Sequence, residues 1–283
     1  MKHKEIKLPK LAITLVGVAV GLTALAPQPA ESQDWTRREF PLAPTNSSGN
    51  FVAPFFDGWY ENEDGTYTLS FGFMNRNDSD LVEIALGPDN FIEPSDFDGM
   101  QPTHFDRVPE AGYRRHFCVF TVTVPEDFAQ GRVVWTLRTR GEPLSTPGKL
   151  LPPYYLDEPE TGGRGVVAPV LKLDADGPEF QGRTGLTVSP RTVAVGDPLT
   201  LTVWVDHPAP RSWVGWTVHQ GPGHVEFGEA EMQVEQADGT ATTTARFSEP
   251  GEYLVRVQSI FSTTSFEYHC CWTNGYIPVT VTR

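Results

Sequence analysis

The run His269-Cys270-Cys271-Trp272 concentrates the most reactive side chains of this chain, whose third and last cysteine is Cys118. Thiols in an oxidising compartment tend to pair, and three arrangements are open. Cys270 and Cys271 can close a vicinal disulfide that stiffens the turn before the last strand. One of them can pair with Cys118 and leave the other free. Or the thiolates can hold a soft transition metal with His269 or another histidine. Stiffening is favoured over metal, because the sequence identifies no third ordered ligand. Cys118 alternates with Phe120, Val122 and Val124 on the more apolar face of a strand, where its plain role is a buried, inert thiol.

The seven histidines are His3, His104, His116, His207, His219, His224 and His269. They show no HxH or HExxH spacing, so only the fold could gather them. His219 and His224 flank the turn sequence Gln220-Gly221-Pro222-Gly223 and could face each other across a hairpin. Surface or turn positions are expected for most of the set. Asp174-Ala175-Asp176-Gly177 and the group Asp89, Asn90, Glu93, Asp96 and Asp98 offer oxygen ligands suited to Ca²⁺. Neither has the spacing of an EF-type calcium loop, and solvated acidic turns explain both more simply. There is no GxSxG elbow, phosphate loop, zinc-protease helix or dinucleotide loop. Paired carboxylates for glycoside hydrolysis can be chosen only by a fold, not from sequence. Trp204 and Trp213 are each out of phase with the apolar face of their strands. As outward tryptophans on adjacent strands they could make a ligand platform for a sugar ring or a partner protein. Contact between domains, with Tyr154 and Tyr155 as candidates, is the favoured role.

The elements that would position these residues are strands. Gly and Pro number 26 and 25 and fall at turn-like positions without a collagen period. Tyr67, Leu69, Phe71 and Phe73 alternate with small or polar residues after the turn Glu61-Asn62-Glu63-Asp64-Gly65. Val82, Ile84 and Leu86 suggest a short strand, and the acidic stretch from Gly87 to Asp106 a long loop. Val133, Trp135 and Leu137 give a further strand. Later, Leu199, Leu201, Val203 and Val205 alternate with Thr200, Thr202 and Trp204, and Val214, Trp216 and Val218 follow with Trp216 as a core tryptophan. Amphipathic sheets must cover their apolar faces with each other, so the expected class is all-β, with two tandem antiparallel β-sandwich domains. The first spans 51–145 and the second 183–283, joined by a Pro/Gly-rich linker, 146–182, after a flexible lead-in, 31–50.

The run Pro250-Gly251-Glu252-Tyr253-Leu254-Val255-Arg256-Val257, after a strand ending at Phe247, resembles the penultimate-strand region of bacterial immunoglobulin-like domains, with polycystic-kidney-disease-type repeats the nearest named relatives. The resemblance covers roughly the last hundred residues. It implies an immunoglobulin-like second sandwich and a corner tyrosine at Tyr253, whose hydroxyl would bond a nearby backbone group. Val255 stands two residues beyond Tyr253, so the inter-sheet disulfide of antibody domains is not implied.

The N-terminus speaks to location. Lys2, Lys4, Lys7 and Lys10 precede an uncharged apolar run from Leu11 to Leu25, and small residues follow to Pro29-Ala30. This is the layout of a secretory signal peptide, 1–30, with a run short for a spanning helix. A secreted or periplasmic protein is expected; an uncleaved segment is the one case that makes a membrane a partner. Residues 1–30 hold four of the 22 basic and one of the 36 acidic side chains, so 18 and 35 remain, a formal charge of −17. Such a surface repels nucleic acid. The leading functional expectation is a non-enzymatic binding, adhesion or envelope-structural protein, with an unknown protein or glycan of the envelope as partner. The alternative is a metal-binding protein or metalloenzyme using His269, Cys270 and Cys271.

Overall fold

A computed structural model of the chain describes residues 48–107, 115–156, 167–261 and 272–283. Its described residues form two antiparallel β-sandwiches. The first sets β1 (Val52–Glu61), β2 (Tyr67–Asn75) and β6 (His116–Val124) in one sheet. The other sheet holds β4 (Asn90–Glu93), β7 (Val133–Thr139) and β8 (Glu142–Gly148), and β3 (Val82–Glu83) pairs with β5 (His104–Phe105) in a short ribbon. Between the sheets, Phe71, Phe105, Phe120 and Trp135 form a buried aromatic centre. The indole N–H of Trp135 is satisfied by the buried Asn90 side chain at 3.0 Å.

The second sandwich has the immunoglobulin-like arrangement. One sheet runs β9 (Val170–Lys172), β12 (Leu199–Asp206), β16 (Asp238–Phe247) and β14 (Val225–Phe227). The other runs β10 (Leu186–Thr187), β18 (Trp272–Thr282), β17 (Gly251–Phe261), β13 (Ser212–Gln220) and β15 (Glu231–Val234), with β11 (Arg191–Ala194) also parallel to β18. The first strand is thus shared between sheets, β9 joining one and β10 and β11 the other. Alternation drives this: Leu201, Val203 and Val205 point into the core, while Thr200, Thr202 and Trp204 point out. Trp216 lies in that core at 2% exposure. The Tyr253 hydroxyl donates to the Glu249 carbonyl at 3.0 Å, the corner expected of the penultimate strand.

Three local expectations change. The alternating strand expected through Leu86 stops at Glu83, Leu86 is exposed, and the acidic loop that follows contains β4 and β5. The stretch 146–182 read as linker contains the end of β8 and all of β9, which pairs with β12 and so belongs to the second sandwich. Cys118 does not share a face with Phe120. Partners Phe71↔Phe120 and Phe73↔His116 leave more chain on β6 than on β2, and this bulge rotates Cys118 out of phase at φ 52°. β1 has its own irregularity between Phe56 and Gly58. Gly72 lies between the two bulges because a Cβ there would stand 2.1 Å from the His116 carbonyl oxygen. The buried Asp57 carboxylate stitches the gap, accepting the Cys118 N–H at 2.8 Å and pairing with Arg115.

Candidate functional site

Chemistry-bearing side chains gather at two places: the junction between the sandwiches and the outward face of the sheet on the far side of the second. The junction forms because β13, β17 and β18 are buried on both faces. Inward, Val214, Trp216, Val255, Val257, Ile277 and Val279 fill the core. Outward, His219, Arg256, Gln258, Asn274 and Tyr276 are also buried, against the first sandwich. His219, Gln258, Asn274 and Tyr276 bond its backbone. Gln258 Nε2 donates to the carbonyls of Phe117 and Cys118, Asn274 Nδ2 donates to Cys118 at 2.8 Å, and the Tyr276 hydroxyl donates to Val119. Near the β5 end, Gln220 donates to the carbonyls of Gly99 and Gln101, and the Thr103 N–H donates to the His219 carbonyl at 2.8 Å. Cys118, Ile260 and Trp272 make a small apolar patch beside this network, with Phe117 and Trp213 against it.

Ionisable groups at the junction are tuned by burial. His219 Nε2 stands 2.8 Å from the Met100 carbonyl, an acceptor, so Nε2 carries the proton and Nδ1 is left bare, without a hydrogen-bond partner among the described residues. A second proton would have to enter at Nδ1 in a dry site near the Arg256 cation. Burial first, and then that charge, hold the His219 pKa down to about 3. Burial brings His116 down to about 4 and pushes Tyr276 up to about 12. It pushes Asp106 up to about 6 against the pull of Arg256. Arg256 itself is 3% exposed, and its Nε donates to Thr217 at 3.3 Å. Burial, with the Asp57 charge adding to it, pushes the Cys118 thiol up to about 12. Such a thiol is no nucleophile at neutral pH. The histidines expected on surfaces and turns are instead buried at 104, 207 and 219. His219 turns toward the first sandwich, and His104 Nε2 lies 3.3 Å from the Gly223 carbonyl. The cluster therefore holds backbone to backbone through its donors, while His219 Nδ1 and Arg256 Nη1 find no hydrogen-bond partner among the described residues.

Trp204 and Trp213 stand on different sheets, since β12 pairs with β16 and β9 whereas β13 pairs with β17 and β15. Neighbours in sequence, the two strands face each other across the core, so the shared platform of outward tryptophans is not built. Trp213 belongs to the junction. Tyr154 and Tyr155, the candidates for that contact, pack on Phe56 and Trp59 of the first sandwich.

Trp204 lies half-buried on the outward face of the other sheet, at a recess of about 160 Å³. Register places Lys172 directly across from it on β9 and Thr240 across on β16. Two residues on, Asp206 faces Asp238 across the same strand pair. Glu179 completes the rim, beside the Leu171–Phe180 bridge. A wider recess of about 510 Å³ lies at the end of the first sandwich, where Arg138 and Asp89 stand 3.9 Å apart.

His269, Cys270 and Cys271 lie outside the described residues. Among the described residues no group of three or more His, Cys, Asp or Glu side chains is placed to hold a metal ion. The acidic turns proposed for Ca²⁺ are partly engaged: Asp98 accepts from the Ile92 N–H and the Gln101 amide, and Asp174 pairs with Arg191.

No protein-family model matches this chain, and no curated protein matches it. Among solved structures, the D0-D1 domain of intimin is similar at 13% identity and a TM-score of 0.26, over 82% of this chain and 98% of that chain. Fibronectin(III)-like modules of Clostridium thermocellum CbhA are similar at 12% identity and 0.25, over 81% and 94%. Domains 4 and 5 of the S-layer protein SbsC are similar at 14% identity and 0.26, over 54% and 66%. At such scores the architecture stands on this chain's own strand pairing.

Proposed function

We propose that this protein is an exported, non-enzymatic binding module whose two sandwiches are docked as one body to hold an outward face in fixed position. One observation carries the reading: among the described residues, the polar side chains gathered at the junction serve chiefly to bond one sandwich to the other. Buried donors such as Gln258 and Asn274 bond backbone carbonyls of the other sandwich, and the buried Cys118 thiol and His219 imidazole stay neutral. Export is supported by the signal-like residues 1–30, with their lysine head and apolar run. The acidic balance fits a partner that is not an anionic polymer.

The test is retention of envelope material. Purified protein lacking residues 1–30, immobilised through its C-terminus, is exposed to solubilised envelope and to cell-wall polysaccharide. The reading expects saturable retention of a defined protein or glycan. Absence of any saturable retention from both sources refutes it.

A further inference from the structure

We propose that the recess around Trp204 binds a neutral sugar ring. The inference rests on the reading of the protein as a binding module and names the ligand class for one face of it.

The floor lies where β9 pairs with β12: Val170, Leu171 and Lys172 beside Trp204, Val205 and Asp206, with Asp238 of β16 at the edge. Beyond the recess the outward face of β12 and β16 is short and hydroxylated: Thr200 stands opposite Thr244, Thr202 opposite Thr242, and Thr240 opposite Trp204 itself. The indole is the one large apolar side chain that β12 and β16 turn outward. Its recess of about 160 Å³ has room for about five waters. That is the scale of a single six-membered ring, below the usual pocket for a drug-sized ligand.

The rim then selects among rings. Asp206 and Asp238 are directly opposite in an antiparallel pair, where like charges destabilise. A ligand that donates hydrogen bonds to both carboxylates offsets that repulsion. Lys172, directly across from Trp204, supplies donors besides the one its Nζ gives to the Ala175 carbonyl at 3.3 Å, and Thr240, across from Trp204 on β16, offers both a donor and acceptors at the edge. A pyranose matches this set: its C–H face lies on the indole, its hydroxyls donate to Asp206, Asp238 and Glu179, and its ring oxygen or a hydroxyl accepts from Lys172. An organic cation would suit the indole and the carboxylates but meets the positive charge of Lys172, which lines the same recess. An acidic sugar or a phosphate meets three carboxylates.

The experiment uses the full chain without residues 1–30 on an array of neutral and acidic oligosaccharides, with calorimetric titration of any binder and of tetramethylammonium as the cation arm. Wild type is compared with Trp204→Ala and Asp238→Asn, each shown to melt like wild type. The expected result is a neutral saccharide whose affinity falls at least tenfold in Trp204→Ala and severalfold in Asp238→Asn. Should one variant fail to fold, the other still reads the site. Three results overturn the proposal: no neutral saccharide binds, one binds equally well to both variants, or tetramethylammonium or acidic glycans bind instead. Retention of envelope material that Trp204→Ala leaves intact removes the groove while the binding role stands. Absence of retention by the wild type removes both.

Discussion

Acidification should weaken the junction, and His219 sets a defined part of that loss. At pH 7 the imidazole is neutral in both the folded and the unfolded chain. In the unfolded chain its pKa is near 6.5, so falling pH protonates it; in the folded chain the value is about 3, because burial and the neighbouring Arg256 charge exclude a second proton. The unfolded state therefore binds more protons below pH 6.5, and stability falls with pH through that window. Between pH 7 and pH 5 the linkage amounts to about 2 kcal/mol from His219 alone. Asp106 acts in the opposite sense. Its folded pKa is raised to about 6, so the folded chain holds its proton more tightly, which returns about 1 kcal/mol over the same interval. His219→Gln removes the titrating group but keeps an amide that can donate to the Met100 carbonyl. The variant will be less stable at pH 7 from altered packing, so the informative quantity is its change with pH. Denaturant unfolding at pH 7, 6 and 5 should show the variant losing about 2 kcal/mol less than wild type across the range. Equal pH dependence of the two proteins would refute the assignment of His219 as a buried neutral group at the junction.

Two further outcomes follow from the bulges of the first sandwich. Gly72→Ala drives a methyl group toward the His116 carbonyl and the Asp57 carboxylate, and should cost about 3 kcal/mol or more in denaturant unfolding; a loss under 1 kcal/mol would contradict the paired-bulge geometry. Cys118 should resist iodoacetamide at pH 8 in the native protein and react on denaturation, read by peptide mass spectrometry, since its thiol is fully buried with a pKa pushed up to about 12. Native alkylation as fast as that of a free peptide would show the thiol to be accessible.

The second sandwich was legible in sequence because water covers one of its sheets. On β12 and β16 the two-residue alternation separates core from solvent without ambiguity, and Tyr253 marks the corner. On β17 and β18 the same alternation places Arg256, Gln258, Asn274 and Tyr276 outward, and polar residues read as a wet face. The face is dry because another domain covers it, and a single sequence does not distinguish water from a polar partner surface. The buried histidines escaped for the same reason. The phase of Cys118 failed through local geometry. The available signal was the pair of isolated glycines, Gly58 and Gly72, within strand patterns, which mark bulges more often than accidents. Trp204 and Trp213 were correctly read as outward, but sequence neighbours in a sandwich often lie on opposite sheets, which separated them.

Fixed docking of the two sandwiches underlies both the junction chemistry and the presentation of the Trp204 face. Backbone ¹⁵N relaxation on the chain lacking residues 1–30 tests it directly. Amides of β2 in the first sandwich and of β16 in the second should report a single rotational correlation time, that of one rigid particle. Two shorter and unequal times would mean that the sandwiches tumble separately, and the hydrogen bonds from Gln258 and Asn274 to Cys118 would not hold them together.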